Sequence, residues 1–206
     1  EAYQIAKQKG DLRAYPGVLT TLWVAGLNND GEVEMTPAVN GQETLRMIGD
    51  PTETALLAAS IKAGIDLTNQ AEAYPRVQEV PFDASRKRMV TIHALASPHK
   101  EDASPFDEHQ KNGYTVLVKG APDIVLNLCH YYQRMNDTVV PLTDDDRRNI
   151  LNANEDMTQK ALRVLGHAYQ VSEGMPDTGN IEALESDLIF TGLVGMIDPP
   201  RPEVTS

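Results

Sequence analysis

Cysteine is nearly absent from the sequence, with Cys129 alone among 206 residues. A single cysteine forms neither an internal disulfide nor a cysteine-based zinc site, so both are excluded. A reducing compartment is the simplest interpretation.

Positive charge is also scarce, since 18 Lys and Arg residues face 30 Asp and Glu residues, for a net charge of −12. A phosphate backbone is held by many cations, so this balance excludes a generally basic protein that coats nucleic acid. One small anionic ligand, held by a local cluster of Lys and Arg, is still compatible with it. With 41% hydrophobic and 23% charged residues, the chain has the composition of an ordinary globular protein.

Long hydrophobic runs are missing as well. The longest apolar stretch, residues 188–197, is about half of the ~20 residues that a membrane helix needs, so we expect no direct membrane insertion. The chain has no signal-peptide pattern and begins with Glu1 rather than Met. We therefore expect a piece of a longer protein; the alternative is a processed small protein.

Several well-known motifs do not occur. The sequence contains no G-x-x-x-x-G-K-[ST] loop, no G-x-G-x-x-G loop and no G-x-S-x-G elbow. The five histidines lack the spacing of metal ligands: His93, His99, His109, His130 and His167. Residues 144–146 lack the spacing and the glycine of a calcium loop. We predict neither a metal site nor a catalytic residue in this chain.

Strands are predicted from β-branched, aromatic and alternating segments. They cover residues 18–24, 32–35, 74–81, 86–95, 114–118, 162–171 and 188–197. The first two would form a hairpin around the turn at residues 28–31.

Three helices are predicted from their starting signals. Asp50 and Pro51 open the first, which ends near Ala63. The second begins at Pro122 and continues over residues 123–130, and the third begins at residues 143–146. Residues 96–112 read as a loop. Runs of strands broken by helix pairs favour an α+β fold with a largely antiparallel sheet.

Four segments near predicted element ends concentrate cations, an aromatic ring or small residues. Residues 82–89 combine Phe82 and Met89, which suit a purine ring, with three consecutive cations, which suit phosphates. The others are Lys119 in a small-residue turn, the helix start at Thr52 and Glu53, and Arg163 inside an apolar strand. Taken singly, the first three have ordinary explanations, whereas Arg163, flanked by Leu162 and Val164, is less easily explained without a partner anion. Phe82 could be core, residues 86–88 a solvated rim, Lys119 an exposed strand end and Glu53 a helix cap.

Together, the segments have a recognisable order. Residues 49–56 (GDPTETAL), 82–89 (FDASRKRM), 118–123 (VKGAPD), 162–165 (LRVL) and 198–201 (DPPR) follow one another with characteristic spacing. In this the sequence resembles the cytoplasmic nucleotide-binding (N) domain of type II P-type cation-transporting ATPases, the group of calcium and sodium/potassium pumps. The resemblance extends from about Gly49 to Arg201.

The resemblance implies a fold and domain limits. The fold would be α+β, with a twisted, largely antiparallel sheet of six or seven strands flanked by helix pairs. Residues 18–197 would form the nucleotide-binding domain, residues 198–206 a hinge strand towards an absent phosphorylation domain, and residues 1–17 an unassigned extension.

The resemblance also implies a role for each of nine residues. Phe82 would stack on adenine, Met89 would pack on the base, and Glu53 would accept from the adenine amino group with Thr52 beside it. Lys119 would line the pocket, whose close floor would be Gly120 and Ala121. Lys87 would lie by the ring and the phosphates, and Arg163 would reach the phosphates.

One position departs from the family pattern. Relatives of the calcium pump often carry an arginine where this chain has Ala84. Either Arg86 or Arg88 would supply that charge, or the phosphate contact would be weaker.

The implied function is partial, because the phosphorylated D-K-T-G-T motif of the family is absent. The chain would bind ATP, as Mg-ATP in the parent, without hydrolysing it. The parent would be an integral membrane protein whose phosphorylation, actuator and transmembrane domains complete the pump around this cytoplasmic domain. The alternative is a non-catalytic interaction module with an acidic docking surface. The transported ion is not encoded in this segment.

Overall fold

A computed structural model describes residues 15–37, 43–95 and 113–197, with the backbone alone for residues 35–37 and 43–45. The described residues form a seven-stranded sheet in the order β3-β4-β5-β8-β9-β6-β7. Its strands are β3 (Arg76–Asp83), β4 (Arg88–Ala94), β5 (Tyr114–Gly120), β6 (Cys129–Gln133), β7 (Val139–Pro141), β8 (Arg163–Ser172) and β9 (Leu188–Met196). Neighbouring strands are antiparallel except β6 and β9, which are parallel. The predicted α+β fold with a largely antiparallel sheet is confirmed.

Helices and a small second sheet surround these strands. The helices are α1 (Pro16–Leu27), α2 (Pro51–Lys62), α3 (Leu67–Ala73), α4 (Pro122–Asn127), α5 (Asp144–Gln159) and α6 (Ile181–Leu184). Strands β1 (Glu32–Pro37) and β2 (Glu43–Ile48) pair with each other in antiparallel fashion. Among the described residues, no helix is both long and apolar enough to span a bilayer.

The large sheet is covered on both faces. Successive side chains of a strand point to opposite faces, so the central strands contribute to two separate clusters. One contains Val90 and Val118 and packs on Val125 of α4, whereas the other contains Leu117 and packs on Trp23 of α1. This double coverage explains why β4 and β5 are buried along most of their length.

The strand predicted at residues 18–24 is wrong, because these residues lie in helix α1. Pro16 stands in the first turn, and the hydroxyls of Thr20 and Thr21 donate to carbonyls four residues earlier. Most of the helix is buried, and a short apolar run without clear periodicity fits a buried helix as well as a strand. The turn at residues 28–31 therefore joins a helix to β1, and β2, which was not predicted, is the partner of β1.

The helices with local start signals occur as predicted. Asp50 caps α2 by accepting from the Thr52 N–H at 2.8 Å, and Thr143 and Asp146 form a capping box on α5. The predicted second helix is shorter, since the chain leaves α4 after Asn127 to form β6. Elements α3, β6, β7 and α6 were not predicted. The predicted loop at residues 96–112, residues 1–14 of the extension and the 198–206 hinge lie outside the described residues.

Candidate functional site

The hairpin between β3 and β4 presents an aromatic ring to solvent. A hydrogen bond from the Ser85 hydroxyl lowers the pKa of Asp83, and so do bonds from the backbone N–H groups of Arg86 and Ser85, at 2.9 Å each. Lys87 adopts a left-handed conformation with φ of 54° and donates its N–H to the Asp83 carbonyl. Phe82, at the end of β3, is 63% exposed. An aromatic ring this exposed is available for stacking.

Lys119 and Glu53 form an ion pair, although they are 66 positions apart. Lys119 is near the end of β5 and is 5% exposed, while Glu53 is in the first turn of α2. Burial lowers the pKa of Lys119, and the charge of Glu53 opposes that effect. Both the Lys119 ammonium and the Asp30 N–H donate to Oε2 of Glu53.

The sheet register brings Met89 level with Lys119, and the β3–β4 hairpin carries Phe82 near its turn. Met89 pairs with Lys119 across β4 and β5 and is 2% exposed. Asp83 pairs with Arg88 and Val80 with Val90, with a register shift between them, so Phe82 lies in the irregular stretch of β3 that faces Met89 in the chain order of the hairpin. A buried methionine, an exposed ring and an ion pair therefore share one corner of the molecule.

Thr52 and Arg163 meet at the start of α2. Arg163, the first residue of β8, donates from Nη1 to the Thr52 hydroxyl at 2.8 Å. The arginine is exposed, and Thr52 is the immediate neighbour of Glu53. A guanidinium thus stands at the edge of the same site.

Gly120 and Ala121 contact the hairpin backbone. A Cβ at Gly120 would come within 2.8 Å of the Arg88 Cα, so only glycine fits there. The Ala121 N–H donates to the Lys87 carbonyl at 3.0 Å, just before α4 begins. In the structure, this turn holds the hairpin in place.

Arg86 and Arg88 are neither a solvated rim nor free charges, because both pair with Glu185. The Glu185 side chain is 4% exposed. Both guanidinium groups are therefore directed to this buried carboxylate in the structure. Sequence reasoning missed Glu185, and no local pattern marks it.

The corner at residues 28–30 also escaped sequence reasoning as part of the site. The fully buried Asn28 donates from Nδ2 to the carbonyls of Leu117 at 2.9 Å and Met89 at 3.3 Å. Asn29 donates from Nδ2 to the Glu53 carbonyl at 3.1 Å. These bonds tie α1 and α2 to the strands that carry Met89 and Lys119.

The site combines a stacking surface, a carboxylate acceptor, a buried ammonium and exposed cations. Such a set matches a flat ring that carries an amino group and an anionic tail. Among the residues that the structure describes, no group of three or more His, Cys, Asp or Glu side chains could hold a metal ion.

Comparison with known proteins identifies the class. The model of the family described as P-type ATPase, cytoplasmic domain N, matches residues 19–203. The chain therefore belongs to the family of P-type ATPase cytoplasmic N domains.

Similar proteins are named as transporters. Over 76% of its length the chain is 38% identical to 16% of calcium-transporting ATPase 1 of Bacillus cereus. It is 39% identical over 77% of its length to 16% of calcium-transporting ATPase 1 of Lactococcus lactis. Over 98% of its length it is 33% identical to 20% of cation-transporting ATPase pma1 of Synechocystis sp.. The chain thus spans between 16% and 20% of the length of these relatives.

Proposed function

We propose that this domain binds ATP and presents its terminal phosphate to an aspartate on a separate domain of the same parent protein. The observation that carries the proposal is the Lys119–Glu53 ion pair at the level of Met89, whose hairpin carries the exposed Phe82. The alternative, a non-catalytic module with an acidic docking surface, would be favoured by Phe82, Lys119 and Glu53 on different faces, whereas the ion pair brings Lys119 and Glu53 together.

The adenine base would occupy the corner between Phe82 and the ion pair. Its flat face would stack on the Phe82 ring, with Met89 and Lys119 as the inner wall. Glu53 would accept a hydrogen bond from the exocyclic amino group. Because both existing bonds go to Oε2, we assign this contact to Oε1.

The phosphates would meet few cations. Lys87 and Arg163 are exposed near the site, whereas Arg86 and Arg88 are both paired with Glu185. Gly120 and Ala121 would support the pocket indirectly, through the hairpin backbone. One stacked base and two free cations give weak binding, with a Kd of about 0.1–5 mM.

In the parent, this binding would serve cation transport on the cytoplasmic side of a membrane. Magnesium bound with ATP would neutralise charge on the transferring phosphoryl group, and this domain's residues would orient the nucleotide. Domain closure would bring the phosphate to the aspartate. The chain alone would bind ATP without hydrolysing it.

An NMR titration of the chain with ATP tests the proposal. We expect saturable shifts at Phe82, Met89 and Lys119, and no response at ~10 mM ATP would overturn it. Phe82→Ala should raise the Kd by about 5- to 160-fold, because stacking on an aromatic ring contributes about 1–3 kcal/mol per base. It should leave stability unchanged, since the ring is exposed. Val77→Ala, at another exposed apolar position of β3, is the matched control and should leave the Kd unchanged.

A further inference from the structure

We propose that Glu185 is a positioning residue for the proposed ATP site: it holds the β3–β4 hairpin in place and directs Arg86 and Arg88 away from the phosphates. This inference rests on the proposed function and concerns a residue outside the motifs of the resemblance.

The contacts of Glu185 form a buried three-residue cluster. Oε1 accepts from the Arg88 Nε at 2.9 Å and from Nη2 of Arg86, while Oε2 accepts from Nη2 of Arg88. Arg88 further donates to the Arg86 carbonyl at 3.0 Å. Hydrogen bonds to charged groups are the stronger ones, so this cluster fixes the hairpin in one orientation.

The anchor itself is rigid. Glu185 directly follows α6, whose last residue, Leu184, is part of a hydrophobic cluster. The Leu184 carbonyl accepts from the Gln170 side chain of β8 at 2.7 Å. The Glu185 carboxylate is therefore held at a fixed place relative to β8, and its bonds to Arg86 and Arg88 fix the hairpin relative to the sheet.

The hairpin carries two of the proposed ligand contacts, Phe82 and Lys87. Arg86 and Arg88 flank Lys87, so their ion pairs hold the segment on one side, and the bond from the Ala121 N–H to the Lys87 carbonyl holds it on the other. Of the three consecutive cations, only Lys87 is exposed. In this proposal, Glu185 therefore fixes the position of the Phe82 ring and leaves Lys87 as the cation of this segment that can contact the ligand.

Two single substitutions with equal charge change test this inference. Glu185→Gln and Glu182→Gln each raise the net charge from −12 by one, and Glu182 is exposed in α6. Adenosine, which lacks phosphates, and ATP are titrated separately into each variant by NMR.

We expect Glu185→Gln to raise the adenosine Kd about fivefold and to increase the ratio of the adenosine Kd to the ATP Kd, because the released guanidinium groups attract phosphates. Glu182→Gln should keep both values. An equal rise in the adenosine Kd and the ATP Kd would indicate a merely structural role and would overturn the inference. Unchanged Kd values would overturn it as well. An unmodified chain that binds neither ligand would instead refute the proposed function itself.

A second variant covers the case in which Glu185→Gln does not fold. Arg86→Gln keeps the Arg88–Glu185 pair. Because Arg86 makes no phosphate contact in this proposal, the ratio of the two Kd values should equal that of the unmodified chain. A fall in that ratio would show that Arg86 binds phosphate and would overturn the inference.

Discussion

Lys119 and His167 are paired residues on β5 and β8, and both are buried. Lys119 retains a carboxylate partner in Glu53, whereas His167 has the Lys119 charge as a neighbour. Burial, and secondly that charge, lower the pKa of His167 to about 3. The family motif predicted Lys119 and Glu53, but their burial depends on helix α2 docking over the strand end. That is a contact between distant segments, which no local pattern contains.

His93 is a second buried neutral imidazole. Its Nδ1 lies 2.8 Å from the Tyr74 carbonyl, which only accepts, so Nδ1 carries the proton and Nε2 accepts from the Thr91 hydroxyl at 3.0 Å. Desolvation lowers its pKa to about 4.

Acidification below pH 6.5 should therefore destabilise the fold through His93 and His167. Between pH 6.5 and the folded pKa values, the unfolded chain binds more protons than the folded one, so stability decreases as pH falls. From pH 7 to pH 5 we expect a loss of about 2 kcal/mol for each of His93 and His167, measured by urea unfolding. His93→Gln should show about half of this pH dependence. An equal unfolding free energy at pH 7 and pH 5 would show that these imidazoles are not held neutral.

At the scale of elements, helix starts were predicted correctly from neighbouring residues, whereas elements that depend on contacts between distant residues were predicted wrongly or missed. Asp50 and Thr143 were recognised as helix starts because capping uses residues within three positions. Helix α1 was mistaken for a strand because Trp23 and Val24 gain their burial from the sheet and not from their neighbours in sequence. Strand β6 was not predicted, because no glycine marks the end of α4 and the helix was expected to continue.

Gly120 supports a prediction about the hairpin. Gly120→Ala should lower the free energy of unfolding by about 1–3 kcal/mol, since the methyl group would push the β4 backbone away. It should also weaken ATP binding by displacing Lys87. Gly174→Ala is the matched control, because a Cβ there meets nothing within 4 Å, and it should alter neither quantity. An unchanged free energy of unfolding in Gly120→Ala would mean that the hairpin backbone moves to accommodate the methyl group, and the prediction would be wrong.

At the scale of the whole molecule, two hydrophobic clusters share their central strands. Val118 and Leu117 are adjacent in β5 yet belong to different clusters. The resemblance implied a sheet of six or seven strands, and the large sheet has seven, but the strand order depends on pairings such as β6 with β9, which are far apart in the chain. Loss of one cluster would uncover strands that form the other, so we expect a single unfolding transition.

The only tryptophan and the only cysteine report on this cooperativity, because Trp23 is in one cluster and Cys129 in the other. Burial raises the pKa of the Cys129 thiol to about 12, so the folded chain should not react with thiol reagents. In urea, Cys129 reactivity and Trp23 fluorescence should change at the same midpoint. Two separate midpoints would show that the faces unfold independently.

Among the described residues, strand β9 lies between β8 and β6 and is the one strand that joins the groups β3-β4-β5-β8 and β6-β7. It comes after every other described strand in the chain. During synthesis, both groups leave the ribosome before the strand that joins them, with their facing edges still open. This sheet is therefore complete only after residues 188–196 have emerged, and until then the edges of β8 and β6 that β9 will cover stay unpaired.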